Sequence, residues 1–189
     1  SFRDKICAGS IGEGNFYRGD LEQGMAYDLY SIGHPIIQQN IGNPKILDAY
    51  QSVALDLLKH FSIERNSKVL EIGAGTGIGT LEVLLQNPSC HISCVEGSKG
   101  MIKVARYKFN QSSGKHILKK VKAKRLLSYW RNFRLKSAKF RNKVRFILSN
   151  FEDYELKSES IDYAIAFSSF YYTNLPKSFR KLHKGLKTP

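Results

Sequence analysis

The sequence predicts a doubly wound α/β domain with a mostly parallel sheet. Short apolar segments typical of strands alternate with longer segments in which apolar residues recur every three or four positions. A turn with glycine at every second position follows the first of these strands. Strands that alternate with helices favour parallel pairing through right-handed crossovers. With 189 residues and 42% hydrophobic content, the chain can bury one core, which excludes a disordered or collagen-like protein.

The first 45 residues differ in composition from the rest of the chain. Seven glycines are interleaved there with aromatic residues, a mixture that favours loops and short helical turns. We interpret residues 1–45 as a lid or cap and residues 46–189 as the main domain. Asn43 and Pro44 provide the cap and first residue of an amphipathic helix that continues to Phe61.

Four strands are predicted after this helix. Each is a short apolar run bounded by polar residues, and the stretch around the second contains Cys90 and Cys94, four positions apart. We expect these cysteines to be reduced core residues, because the three cysteines of the chain lack the spacing of a metal site. The predicted strands are 68–72, 91–95, 144–148 and 161–167.

Helices connect these strands. The first ends before Asn87, and the second spans 98–109 with Met101 on its apolar face. The last helix begins at about Pro176, where an early proline is compatible with a helix start. Its predicted inward-facing residues are Leu175, Phe179, Leu182 and Leu186.

The net charge of +14 is concentrated in one segment. Residues 97–151 contain 17 Lys and Arg and no Asp or Glu, whereas the rest of the chain holds 13 basic and 16 acidic residues. Such a field attracts polyanions. For the basic segment 99–145 we therefore consider RNA, an acidic carrier protein or anionic lipid as partners.

An insertion at about 107–143 carries most of this charge. It includes a basic amphipathic helix that could bind RNA through phosphate contacts and aromatic stacking, dock a carrier protein, or lie on a membrane surface. Alternatively, its apolar stripe packs on the domain and leaves a solvated basic face. The stripe consists of Leu126, Tyr129, Trp130 and Phe133.

The glycine turn indicates a ligand site. Gly73, Gly75 and Gly77 let the backbone approach a ligand closely, and the next helix points its free N–H groups towards a partly negative group. A dinucleotide fingerprint would require glycine where Ile78 or Thr80 stands. A P-loop is excluded as well, because no Gly-Lys-Ser or Gly-Lys-Thr follows.

Taken with Glu71 before the first glycine and Glu96 after the second strand, this turn resembles that of the class I S-adenosylmethionine-dependent methyltransferases. The resemblance covers about residues 26–186 and implies a Rossmann-like fold with S-adenosyl-L-methionine as cofactor. It also implies that Glu96 binds both ribose hydroxyls, as a carboxylate can. The methionine end of the cofactor would contact Glu71, Gly73, Ala74, Gly75 and Gly77.

Further positions of the resemblance concern adenine. Met101 matches the apolar residue that packs against the base, and Asn150 stands where the family usually has an Asp that binds the adenine amine. The amide oxygen of Asn150 can accept the same hydrogen bond. Phe151 would offer its backbone N–H and ring. Tyr27 matches the segment that covers the cofactor, although it could instead pack on the first helix.

The acceptor is not identified, and neither a catalytic base nor a metal site is predicted. His34, Tyr171 and Tyr172 are candidates to line its pocket. The stretch 167–172 lacks the Asp/Asn-Pro-Pro-Tyr motif of enzymes that methylate nucleobase amines. The resemblance therefore favours a small-molecule or carrier-bound acceptor. A noncatalytic RNA- or partner-binding module on the same fold is the alternative.

Two expectations concern the whole protein. The family normally has seven strands, so this chain is expected to be truncated after the fourth strand and its helix, with catalytic competence in question. Alternatively, the N-terminal region, a second copy or a partner covers the edge of the sheet. No signal-like start or apolar run of about 20 residues occurs, so we expect a cytoplasmic protein without a transmembrane segment.

Overall fold

The computed structural model describes Gly24, Met25, Asp28 and residues 58–60, 62–121, 124–167 and 173–187. Its centre is a parallel sheet in which helices follow strands, as the sequence predicts. The strands are β1 Lys68–Ile72, β2 His91–Glu96, β3 Val144–Leu148 and β4 Tyr163–Ile165. The helices are α1 Ile78–Gln86, α2 Lys99–Lys108, α3 Lys115–Lys120, α4 Lys124–Ser137 and α5 Leu175–Gly185, with a 3-10 turn at Ala138–Phe140.

The four strands lie in the order β3-β2-β1-β4, and every neighbouring pair is parallel. Ile72 is paired with Val95, and Glu96 with Leu148, so the carboxyl ends of β1, β2 and β3 meet at one edge. In open α/β sheets this edge is where ligands bind.

Alternating residues of the strands build two cores, one on each face of the sheet. Val69 and Ile92 pack with apolar residues of α1 and α2, whereas Leu70 and Ile72 pack on the opposite face with Leu182 of α5. The period-2 alternation of strand side chains explains this division. Helices therefore cover both faces, which confirms the doubly wound arrangement.

Local signals fix the helix ends. The Ser98 side chain accepts a hydrogen bond from the Met101 N–H at 3.2 Å and caps α2. Asn174 caps α5 in the same way, with its Oδ1 3.1 Å from the Lys177 nitrogen. Helix α1 ends at Gln86, before Asn87, as the sequence predicts.

Two strand predictions differ from the structure at their ends. Strand β2 runs one residue further, to Glu96, because that residue pairs with Leu148 of β3. Strand β4 is shorter than the predicted 161–167 and spans Tyr163–Ile165. Ile161 instead forms an isolated parallel bridge with Leu186, at the end of α5.

The inward-facing prediction for α5 is wrong for two of its four residues. Leu175 is 42% and Phe179 59% exposed, whereas Leu182 and Leu186 are partly buried. The helix is rotated because the Lys181 ammonium donates to the carbonyls of Phe151, Glu152 and Tyr154. On the same side, Gly185 lies against the Leu156 side chain.

The apolar stripe of the basic insertion packs inwards. Leu126, Trp130 and Phe133 are at most 3% exposed, and Tyr129 packs against the same clusters. The Trp130 and Phe133 rings are therefore unavailable to stack on bases, which corrects the stacking part of the RNA hypothesis for these two residues. Within the described ranges, no helix combines the length and apolar character needed to cross a membrane.

Candidate functional site

The glycine turn connects β1 to α1 in an unusual backbone conformation. Gly73, Gly75 and Gly77 have φ angles of 67°, 55° and 82°, in the left-handed region that side chains disfavour. A Cβ at Gly77 would also lie 2.8 Å from the Phe109 ring. Ala74 is 7% exposed and belongs to the core. The turn therefore requires glycine for its shape and anchors itself through Ala74.

Glu96 faces this turn from the end of β2. Its Oε2 accepts a hydrogen bond from the Gly75 N–H at 2.9 Å, and its Oε1 accepts one from the Ser98 N–H at 2.7 Å. Burial raises the pKa of Glu96, and these two N–H groups counteract the increase. The side chain thus places two acceptor oxygens between the glycine turn and the start of α2.

Glu71 lies beneath the turn. It is 2% exposed, and its Oε2 accepts hydrogen bonds from Thr80 Oγ1 at 2.5 Å and from Cys94 Sγ at 3.5 Å. Burial raises its pKa to about 7. The carboxyl group of Glu71 is thus enclosed by protein beneath the turn, and its contact with the methionine end of the cofactor stays a prediction.

The residues expected at the adenine lie beyond Glu96. Met101 is 6% exposed on the first turns of α2. Asn150 is exposed, donates from Nδ2 to Asp153 at 3.2 Å, and has its Oδ1 beside Gly97. The Phe151 ring is 4% exposed and packs in the core of the α5 face, and its contact with the base stays a prediction.

A buried polar cluster on the other side of the turn was not anticipated. Asp28 accepts hydrogen bonds from Thr76, Trp130 and Lys108. Thr76 stands between two glycines and Lys108 among many basic residues, so neither attracts attention in the sequence. For Asp28, the sequence offers one indication, which is its position directly after the candidate residue Tyr27.

Four candidate residues lie outside the described part of the chain: Tyr27, His34, Tyr171 and Tyr172. Their roles remain predictions. Among the described residues, no three His, Cys, Asp or Glu side chains are grouped so that they could hold a metal ion. The chemistry available at the site consists of backbone N–H groups, two carboxyl groups and apolar surface.

Comparisons with known proteins agree with this arrangement. The model of a family described as "Methyltransferase domain" matches residues 70–188. A search of curated proteins found no match. The chain is similar to a candidate S-adenosyl-L-methionine-dependent methyltransferase from Methanococcus maripaludis, with 15% identity and a TM-score of 0.60 over 89% of this chain and 60% of that one.

Two further solved structures share the fold. One is phosphoethanolamine N-methyltransferase 2 from Haemonchus contortus, with 20% identity and a TM-score of 0.51 over 72% of this chain and 26% of that one. The other is a SAM-dependent methyltransferase from Aquifex aeolicus, with 15% identity and a TM-score of 0.51 over 79% and 65%. The chain thus spans less than two thirds of the length of each of these three relatives.

The family assignment follows from the extent of the match and the position of the site. The matched residues make up more than half of the chain and include the glycine turn from Gly73 to Gly77, Glu96 and Asn150. The four-stranded parallel sheet with its helices matches the fold of the similar structures, with a TM-score of 0.60 for the Methanococcus maripaludis protein. The chain therefore belongs to the methyltransferase domain family, among the class I S-adenosylmethionine-dependent methyltransferases.

Proposed function

We propose that this chain binds S-adenosyl-L-methionine at the glycine turn and transfers its methyl group to an acceptor. The observation that carries the proposal is the Glu96 carboxylate at the carboxyl end of β2, 2.9 Å from the Gly75 nitrogen. This geometry places the two oxygens of a carboxylate beside a turn that has glycine at every second position. Membership of the methyltransferase family supports the same conclusion.

The residues present fit this cofactor. Glu96 has two oxygens for the two vicinal ribose hydroxyls, which would replace its present N–H donors. The freed N–H of Gly75 would then face the ligand. Without side chains at Gly73 and Gly75, the methionine end can approach the backbone. Ala74 and Glu71 support the turn from within the protein.

At the adenine end, Met101 would provide apolar contact and Asn150 a hydrogen-bond acceptor. The amide oxygen of Asn150 lies beside Gly97, where an added Cβ would be only 2.7 Å away. Glycine at 97 therefore keeps this oxygen accessible. The backbone N–H of Phe151 is proposed as a second contact, although its ring belongs to the core.

The cofactor supplies a methyl group on a positively charged sulfur, which is already a good electrophile. The protein's contribution is to hold an acceptor atom in line at about 3 Å and to exclude water. A catalytic base is optional, depending on whether the acceptor loses a proton. Tyr27 is proposed to cover the cofactor, where its ring could stabilise a cation.

We propose a small-molecule or carrier-bound acceptor rather than a nucleobase amine. The sequence after β4, Phe167 to Tyr172, lacks the Asp/Asn-Pro-Pro-Tyr motif associated with those amines. His34, Tyr171 and Tyr172 remain the proposed lining of the acceptor pocket. The Haemonchus relative, a complex with phosphomonomethylethanolamine and S-adenosylhomocysteine, is an example of this fold with a small molecule bound.

Isothermal calorimetry with S-adenosylhomocysteine tests the cofactor proposal. We expect the unmodified chain to bind, and Glu96→Ala to weaken binding by tenfold or more, roughly the cost of losing charge-assisted hydrogen bonds. The matched control is Glu64→Gln, because Glu64 is exposed and lies before β1, at the opposite end of that strand. Binding that is equally strong in Glu96→Ala would contradict the proposed site.

A noncatalytic binding module is the second candidate, and the exposed basic face favours it. No binding of S-adenosylhomocysteine at millimolar concentration would support this module over the enzyme. Eleven described Lys and Arg side chains of the segment 99–145 are exposed: Lys99, Lys103, Arg106, Lys115, Lys119, Lys124, Arg131, Lys136, Lys139, Arg141 and Arg145.

The polyanion partner is tested separately. RNA affinity should fall steeply as salt increases, with a linear log–log slope that counts the phosphate contacts. Substituting Arg131 and Lys136 on the exposed face of α4 by Gln should reduce that slope. Anionic vesicles and an acidic carrier protein serve as the competing partners, and a flat salt dependence for RNA would remove the nucleic-acid interpretation.

A further inference from the structure

We infer that a buried cluster of Asp28, Thr76, Lys108 and Trp130 positions the glycine turn for cofactor binding, with Asp28 as its central positioning residue. The inference rests on the proposed cofactor site. It goes beyond that site because none of these four residues belongs to the proposed cofactor contacts.

The contacts converge on one carboxylate. Asp28 Oδ1 accepts from Thr76 Oγ1 at 2.5 Å, and Oδ2 accepts from Trp130 Nε1 at 2.6 Å. The Lys108 ammonium donates to both oxygens, at 3.2 and 3.1 Å, and also lies 3.2 Å from Thr76 Oγ1. All four side chains are fully buried. Their hydrogen-bonding groups therefore satisfy one another away from water.

A fully buried ion pair requires a specific reason. Lys and Asp are rarely buried completely unless they are paired, and the desolvation cost makes such a pair a poor source of stability. Its better-attested use is to select one arrangement of the chain. Here the selected arrangement joins segments that are far apart in sequence, since Asp28 is 80 residues from Lys108 and 102 from Trp130.

The arrangement acts on the turn through Thr76. Thr76 is the single polar side chain in Gly73-Ala-Gly-Thr-Gly77, and both its neighbours are glycines in the left-handed region. Besides the packing of Ala74, a turn with so much backbone freedom is further restricted by a side-chain anchor. The hydroxyl bond to Asp28 supplies one, and the adjacent residue Gly75 carries the N–H that meets Glu96.

The basic insertion contributes the other side of this anchor. Trp130 lies on α4, and the Lys108 ammonium is 4.2 Å from the ring centre of Phe133 on the same helix. The aromatic stripe thus encloses the ion pair and keeps water away from it. The insertion and residue 28 together fix the position of Thr76.

Calorimetry with S-adenosylhomocysteine on three Thr76 forms tests this inference. We expect Thr76→Val, which removes the hydroxyl, to weaken binding by about tenfold or more, the scale of one hydrogen bond to a charged group. Thr76→Ser keeps the hydroxyl and should stay within about twofold of the unmodified chain. Ser178→Ala is the matched control, because it removes a buried hydroxyl of α5 that has no hydrogen-bond partner among the described residues.

Trp130 is the only tryptophan of the chain, so its emission maximum checks that the cluster remains buried in every Thr76 variant. The calorimetry is carried out under conditions in which each variant is folded. Unchanged affinity in Thr76→Val, or an equal loss in Thr76→Ser, would overturn the inference while leaving the cofactor proposal intact. If the unmodified chain itself fails to bind S-adenosylhomocysteine, both proposals are wrong.

Discussion

Two buried carboxyl groups flank the glycine turn, and they differ in the charge of their partners. Asp28 is paired with the Lys108 ammonium, whereas Glu71 is bonded to the neutral Thr80 hydroxyl and Cys94 thiol. A buried charge is tolerated when an opposite charge matches it, and otherwise the group tends to take up a proton. We therefore expect the Asp28 region to respond to loss of its partner and the Glu71 region to respond to pH.

Removing the cation should produce the largest effect. Lys108→Met leaves the Asp28 carboxylate buried without its counter-charge, and breaking such a pair costs about 3–5 kcal/mol of unfolding free energy. Urea denaturation measures the change. Lys103→Met, an exposed position on the same helix, is the control and should change stability by no more than about 0.5 kcal/mol. Similar changes in unfolding free energy for both variants would show that Lys108 does not act as the counter-charge of Asp28.

The pH dependence of stability should be the next largest effect. Burial raises the pKa of Glu71 from 4.5 to about 7, so the folded protein binds a proton that the unfolded chain releases. The contribution of Glu71 to the free energy of unfolding is therefore lost as pH rises from 4.5 through 7, and this loss amounts to about 3 kcal/mol in total.

Glu71→Gln should abolish this loss. Unfolding free energies at pH 5 and pH 8 should then differ by less in the variant than in the unmodified chain. If the two proteins show the same difference, Glu71 does not titrate as its burial predicts.

Substitutions of Thr76 and Thr80 test the difference between Asp28 and Glu71 directly, with a smaller expected change in stability. Thr76 donates to the charge-paired Asp28, and Thr80 donates to Glu71. A hydrogen bond to a charged group contributes about 1.5–3 kcal/mol to the free energy of unfolding, whereas one between neutral groups contributes about 1 kcal/mol. At pH 5, where Glu71 is protonated, Thr76→Val should therefore destabilise the protein more than Thr80→Val. Equal losses in urea denaturation would contradict the difference between the two carboxyl groups.

The smallest expected effect is the absence of thiol reactivity at Cys94. Burial and the neighbouring Glu71 raise the pKa of this thiol well above its usual value, which suppresses the reactive thiolate. Iodoacetamide should leave the peptide containing Cys94 unmodified in the folded protein and label it after unfolding, as mass spectrometry would show. Rapid labelling in the folded state would mean that the Glu71 region opens to solvent.

Much of the fold could be predicted because its signals are local. The bounds of β1 and β3 coincide with the apolar runs that predict these strands. Ser98 caps α2 and Asn174 caps α5. The apolar stripe of α4 also follows helical spacing and packs inwards. Periodicity and caps lie within a few neighbouring residues, so they are readable without the tertiary structure.

The errors arose where distant residues decide the outcome. Helical spacing placed Phe179 inside, but the bonds of Lys181 to carbonyls of 151–154 set a different rotation of α5. The pairing of Asp28 with Lys108 spans 80 positions and has no local pattern.

The position of Glu96 is set by strand register and not by a loop. Its carbonyl accepts the Ser149 N–H at 3.1 Å, and it pairs with Leu148 across the sheet. Because neighbouring side chains of a strand point to opposite faces, a slip of one residue would reverse its orientation. Adding or deleting a single residue within β2 would thus remove the carboxylate from the turn, even in a protein that still forms its sheet.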